Sequence, residues 1–140
     1  MRIKEANIMN ANGQERVLLF HFKEGPQLAA IRTMLFIAQI PGRLVSKEEY
    51  SVPLEMLAMD EEVPHTALCN TQELDGQMIV FAGLKEDKLE SLLALLKSNP
   101  ACGQIPYKAI LTETNQKWNA LMLFNELQKE HAAMHSNVKH

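Results

Sequence analysis

Compact apolar runs alternate along the chain with stretches of helical spacing, and this pattern predicts the first half of the fold. Residues 17–22 read VLLFHF, an apolar run with polar flanks that predicts a buried strand. Pro26 suits the first turn of a helix. From 28 to 38 the apolar positions follow helical spacing, with Met34 and Phe36 widening the predicted apolar face. An extended run at 43–45 and a short helix after Pro53 follow.

The second half of the chain replays this order. Residues 78–81 predict a buried strand, and the leucines between 89 and 96 mark one face of a helix. Residues 109–111 predict a fourth strand. The last helix is predicted from Asn115 to about His131.

Matching residues suggest that the two halves are duplicates of one unit. Residues 18–20 correspond to 79–81, and Ile-Pro occurs at 40–41 and again at 105–106. The offset between matching positions drifts slowly, as loop insertions in a duplicated unit produce. Chance similarity between two apolar strand–helix units is the alternative.

We therefore predict one α/β domain over 1–140, built from strand–helix–strand–helix halves at about 16–59 and 78–131 that a surface loop, 60–77, joins. The strands are near-continuous apolar runs, which favours a four-stranded, mainly parallel sheet with flanking helices. The alternative is a ferredoxin-like α+β fold with antiparallel inner strands and an added C-terminal helix.

Composition narrows the function classes. The 140 residues carry a net charge of −3 with interspersed signs, so a general nucleic-acid binder, which needs a basic face, is not expected. Cys69 and Cys102 have no paired spacing and indicate reduced thiols. No apolar run approaches the roughly 20 residues of a membrane helix, and the N-terminus lacks a signal-peptide pattern. We expect a cytoplasmic protein without a membrane contact.

A hydroxyl-rich turn at 112–115 stands between the fourth strand and the last helix, where open α/β sheets collect ligands. Thr114 or Asn115 can cap the helix by accepting hydrogen bonds from its amides. The same amides can instead hold a carboxylate or phosphate, although Glu113 would repel an anion. The residues of this second, anionic-ligand interpretation are Thr112, Thr114, Asn115, Lys108 and Lys117.

The last helix is apolar around much of its girth, because residues 120–124 read ALMLF and follow the single tryptophan. A surface helix needs only one apolar stripe. Part of this helix therefore faces either the core or a partner, which would be a second subunit or another protein. The candidate interface residues are Trp118, Leu121, Met122 and Phe124.

Other candidate chemistry is weaker. His131 and His135 share a helical face but lack a third ligand, which indicates a solvated tail more than a metal site. We interpret His21 as a satisfied core or strand-end histidine in preference to a general base. Cys69 follows His65 by four residues without an orienting group, so a bystander thiol is favoured over a nucleophile. We predict no catalytic residue, metal or cofactor, and doubt that the chain is an enzyme.

One resemblance is carried by residues 78–131. Its features are the strand MIVF, Gly83, Ile105-Pro106, the run from Lys108 to Thr112, Thr114-Asn115, Trp118 and the helix end at Glu126-Leu127 and Lys129-Glu130-His131. In these features the chain resembles a small bacterial family, domain of unknown function 3783. The resemblance implies a shared fold and supplies no catalytic residue.

The sequence therefore predicts an uncharacterised small bacterial protein that acts as a non-catalytic binding or protein-interaction module. The alternative is a small anionic-ligand-binding domain, or an enzyme, with its site at the Thr112–Asn115 turn.

Overall fold

The computed structural model of the protein describes residues 14–59 and 62–138. Within them, the strands are β1 (Arg16–Phe20), β2 (Gly42–Val45), β3 (Met78–Ala82) and β4 (Tyr107–Ile110). The α-helices are α1 (Pro26–Ala38), α2 (Leu54–Ala58), α3 (Glu86–Ser98) and α4 (Ala120–Val138). Single 3-10 turns occupy Lys47–Glu49, His65–Ala67 and Pro100–Cys102.

The four strands form one open sheet in the order β2-β1-β3-β4. β1 pairs with β2 in parallel and β3 pairs with β4 in parallel, whereas the central pair, β1 and β3, is antiparallel. The sheet is therefore mixed, and the prediction of a mainly parallel sheet was wrong. Continuous apolar strands result from cover on both faces of a sheet, and they do not report the direction in which each strand runs.

The antiparallel inner strands agree with one feature of the ferredoxin-like alternative. The connectivity differs, because each strand–helix–strand unit here places its two parallel strands side by side instead of splitting them around another strand. The internal duplication stays a prediction.

Helices cover both faces of the sheet and divide the core into two apolar clusters. Val17 and Leu19 of β1 face α1 and α3 in the first cluster. Leu18 and Phe20 face α2, α4 and the segment around Tyr50 in the second. The two central strands are consequently buried on both sides, and β3 is buried along its whole length.

The ends of α1 and α3 follow local rules. Pro26 occupies the first turn of α1, as predicted. Gln39 ends that helix in the left-handed conformation with φ 60, and its N–H reaches the carbonyls of Leu35 and Phe36. In α3, Glu86 stands in the first turn and complements the helix dipole.

The last helix begins five residues later than predicted. Residues 113–117 form turns, and α4 starts at Ala120. Its cap is Asn119, whose Oδ1 accepts a hydrogen bond from the N–H of Met122 at 2.9 Å. The prediction that Thr114 or Asn115 caps this helix was therefore wrong, and Trp118 lies before the helix.

Candidate functional site

The 112–115 turn follows β4 at one edge of the sheet. The N–H of Leu111 donates to the carbonyl of Phe81 at 2.8 Å, so the turn starts beside the carboxyl end of β3. Because β1 and β3 are antiparallel, the carboxyl ends of β1 and β2 lie at the opposite end of the sheet. The predicted site therefore adjoins the carboxyl ends of two strands instead of four.

The turn satisfies its own polar groups. Oδ1 of Asn115 accepts the N–H of Thr112 at 2.8 Å, and the N–H of Asn115 donates to Oγ1 of Thr112 at 3.2 Å. Nδ2 of Asn115 donates to the carbonyl of Ile110 at 3.0 Å. Asn115 is only 8% exposed. Its side chain thus behaves as a backbone cap, but the amide it caps belongs to the turn and not to α4.

The segment after the turn is bonded to the first half of the chain. The N–H of Leu54 donates to the carbonyl of Trp118, and the N–H of Glu55 to that of Gln116, both at 2.8 Å. The indole of Trp118 is partly buried against the second apolar cluster. These contacts use the segment to join the start of α2 to the start of α4.

The remaining members of the predicted ligand set are divided between two places. Thr114 and Lys117 are exposed on the turn, as is Glu113. Lys108 stands near the other end of β4, where its ammonium donates to the carbonyl of Ile105 at 3.0 Å. The structure brings Thr112, Thr114, Asn115 and Lys117 together, and it does not bring Lys108 to them.

The four predicted interface residues differ in exposure. Phe124 is 4% exposed and its ring meets that of Tyr107 edge-on at 4.8 Å between centroids, so it belongs to the core. Trp118 is partly buried, as described above. Leu121 and Met122 are 38% and 50% exposed. Of the predicted set, these two offer the most surface to a partner.

The histidine and thiol candidates do not assemble into a site. His131 is exposed and its ring lies 5.7 Å from that of Tyr107, while the side chain of His135 falls outside the described residues. Cys69 is exposed; Cys102 is buried, and burial raises the pKa of its thiol. In the described part of the chain, no three histidine, cysteine or acidic side chains are grouped to hold a metal ion.

One buried polar cluster was missed by the sequence analysis. The hydroxyl of Tyr50, a fully buried residue, donates to the carboxylate of Glu73 and accepts the backbone N–H of His21. Burial, followed by the hydrogen bond to Glu73, raises the pKa of the Tyr50 phenol far above its ordinary value. The hydroxyl therefore keeps its proton at neutral pH, and the residue is buried inside the protein. The only sequence signal is its place in the alternating apolar series Tyr50, Val52, Leu54.

His21 occupies an unusual position at the end of β1. Its backbone has φ 67, in the left-handed region, and its Nδ1 is buried without a hydrogen-bond partner among the described residues. The prediction of a satisfied histidine was therefore wrong, while its place at a strand end was confirmed. Together with Tyr50 and Glu73, His21 pins the connector before β3 to the end of β1.

The largest exposed apolar side chains of the described residues include two neighbours on α1. Phe36 is 83% exposed and Ile37 is 56% exposed. The prediction that Phe36 widens the core face of this helix was wrong. The buried stripe is Leu28, Ile31 and Leu35, and Phe36 lies one residue past it, at about 100° around the helix.

Open grooves flank this pair of side chains. A groove of about 210 Å³ separates α1 from β2, and Phe36 forms one wall of it. Its other lining residues are Leu19, Arg32, Leu35, Ile40, Gly42 and Leu44. A second groove of about 490 Å³ runs from Ile37 to the first turns of α3. We call Phe36, Ile37 and the groove beside β2 the α1 face.

Comparison with known proteins confirms the resemblance over part of the chain. Residues 77–134, which contain β3, α3, β4 and most of α4, match the model of a domain of unknown function, number 3783. No curated protein and no solved structure matches the chain significantly. None of the helices in the described residues has the length and apolar character needed to cross a bilayer.

Proposed function

We propose that the chain is a cytoplasmic, non-catalytic protein-interaction module and that the α1 face is its contact surface. One observation carries this proposal: Phe36 is 83% exposed, although the neighbouring stripe of the same helix is buried in the core. An exposed phenylalanine lacks the stabilisation of roughly 1.5–3 kcal/mol that burial of a large apolar side chain provides. Exposed aromatic residues beside a groove are typical anchors of protein interfaces.

The alternative, an anionic-ligand or catalytic site at the Thr112–Asn115 turn, has less support. Thr112 and Asn115 use their side chains on each other and on the carbonyl of Ile110. Glu113 remains exposed in the same turn and opposes a bound anion. A structural role for the turn accounts for these contacts without a ligand.

A second contact surface is proposed on α4, as the sequence analysis anticipated for a homodimer or another partner. Leu121 and Met122 are exposed there next to the buried Phe124. The apolar side chains of this surface are less exposed than those of the α1 face. Leu121 and Met122 are 38% and 50% exposed, whereas Phe36 and Ile37 are 83% and 56% exposed. We therefore rank it second.

The apparent size of the tagged chain in an extract of gently lysed native cells tests this proposal. We expect the wild-type chain to travel in an assembly larger than its 15.8 kDa monomer. Phe36→Glu should move it to the monomer position, because a carboxylate cannot be buried unpaired at an interface. Thr112→Ala should leave the assembly unchanged. A wild-type chain that is monomeric in the cell extract would contradict the proposal.

A further inference from the structure

The outer edge of β2 is open. β2 ends the strand order, and no strand in the described residues pairs with its outer side. Native proteins commonly protect such an edge with an outward charge. At the other edge of the sheet, β4 carries the exposed Lys108. The only charged residue of β2, Arg43, is instead folded back onto Glu49 at 2.6 Å and is 19% exposed.

The groove beside β2 is close to neutral in charge. Arg32 is the one ionised residue that lines it, and its guanidinium is paired with Glu24 at 2.8 Å. The two side chains are 49% and 73% exposed, so each keeps surface for a second contact. The groove therefore offers no net charge of opposite sign to a strongly charged partner. A surface that carries both members of an ion pair can meet its own copy without like-charge repulsion.

We infer that the occupant of the α1 face is a second copy of this chain, joined through antiparallel pairing of β2 with β2 of the copy. This inference rests on the proposed function, because it names the partner of that same face. A two-fold axis perpendicular to the sheet makes the paired strands antiparallel and keeps both α1 helices on one face. Phe36 of each copy then faces the groove of the other, while Arg32 and Glu24 can exchange partners across the axis.

This arrangement covers both the open edge of β2 and the exposed ring of Phe36 in one contact. The backbone groups on the outer side of Gly42–Val45 gain hydrogen-bond partners, and the ring of Phe36 leaves water. Both occur at one side of the molecule because α1 packs over β1 and runs directly into β2. An isologous contact of this kind closes with two copies and does not propagate.

Sedimentation of the purified chain over a range of concentrations tests the inference. We expect wild type to form a dimer, and Phe36→Glu to raise the dimer dissociation constant about tenfold or more, as for an aromatic anchor. The matched control, Met134→Glu, changes a 65% exposed apolar residue outside both proposed contact surfaces and should dimerise like wild type. In the same samples, amide hydrogen exchange of Gly42–Val45 should slow as the concentration of wild type rises, and should not slow in Phe36→Glu.

Each other outcome has a defined meaning. A purified chain that stays monomeric while the cell extract holds a Phe36-dependent assembly overturns the second copy and leaves the proposed function standing. A monomer in both settings overturns both. A dimer that Leu121→Glu disrupts and Phe36→Glu does not would place the contact on α4, and a dimer without slowed exchange in β2 would exclude strand pairing.

Discussion

Asn115→Ala tests whether the 112–115 turn is structural. The substitution removes two side-chain hydrogen bonds, one from the N–H of Thr112 at 2.8 Å and one to the carbonyl of Ile110 at 3.0 Å. A buried polar group left without its partner costs about 1–3 kcal/mol. Water can reach the partly exposed Thr112, so its share lies at the low end. We expect the free energy of unfolding to fall by about 2–4 kcal/mol.

Urea denaturation followed by tryptophan fluorescence measures this loss, since Trp118 packs beside the same segment. Thr114→Ala is the matched control: Thr114 is exposed in the same turn and its loss should change stability by about 0.5 kcal/mol at most. If Asn115→Ala is as stable as wild type within about 0.5 kcal/mol, the structural reading of the turn is refuted.

Three further predictions concern backbone strain and the buried phenol. Gln39→Gly should stabilise the chain by about 0.5–1 kcal/mol in urea, because glycine accepts the left-handed conformation that φ 60 imposes. Gly103→Ala should lower the melting temperature, with a loss of about 1–2 kcal/mol, since φ is 74 and the added Cβ would lie 2.9 Å from Nε2 of Gln27. Tyr50→Phe should cost about 1–2 kcal/mol by removing the hydroxyl that binds Glu73. The raised pKa of Tyr50 makes the free energy of unfolding depend on pH. The stabilisation that the protonated phenol contributes is complete below about pH 10 and falls as the pH rises further, by on the order of 1 kcal/mol per pH unit. Stability above pH 10 should therefore fall less steeply in Tyr50→Phe than in wild type.

The elements that depend on local apolar spacing were predictable from the sequence. The four strands and the apolar faces of α1 and α3 follow from runs and periodicities that a few residues determine. The direction of β3 does not, because it depends on the path of the connector before it. Antiparallel and parallel neighbours bury the same valines and leucines, so strand composition cannot distinguish them.

The start of α4 was missed because two asparagines compete for one role. Asn115 and Asn119 both precede an apolar run, and either side chain can accept an amide hydrogen bond. Asn115 binds the turn instead, through Thr112, and this choice depends on the position of β4 in three dimensions. The sequence indicates side-chain capping by Asn115, but the amide that Asn115 caps belongs to the turn and not to α4.

The α1 face was missed for a related reason. Helical spacing shows which residues of α1 are able to share the core face, but more apolar residues are present than the core accepts. Leu35 takes the buried position and Phe36, its neighbour, is left in solvent. A surplus apolar residue next to a regular stripe is the signal that sequence reasoning could have used, and in this chain it marks the proposed contact surface.

A photo-cross-linking phenylalanine analogue at position 36, in the chain expressed in its native cells, tests the proposed interaction function most directly. It keeps the aromatic ring where Phe36 stands, and the same analogue at Thr114, an exposed residue in the turn after β4 at the other edge of the sheet, is the control. We expect one discrete adduct from position 36, with the mass of a dimer of the chain if the partner is a second copy, and none from position 114. No adduct from position 36, or equal adducts from both positions, would contradict the α1 face as a contact surface.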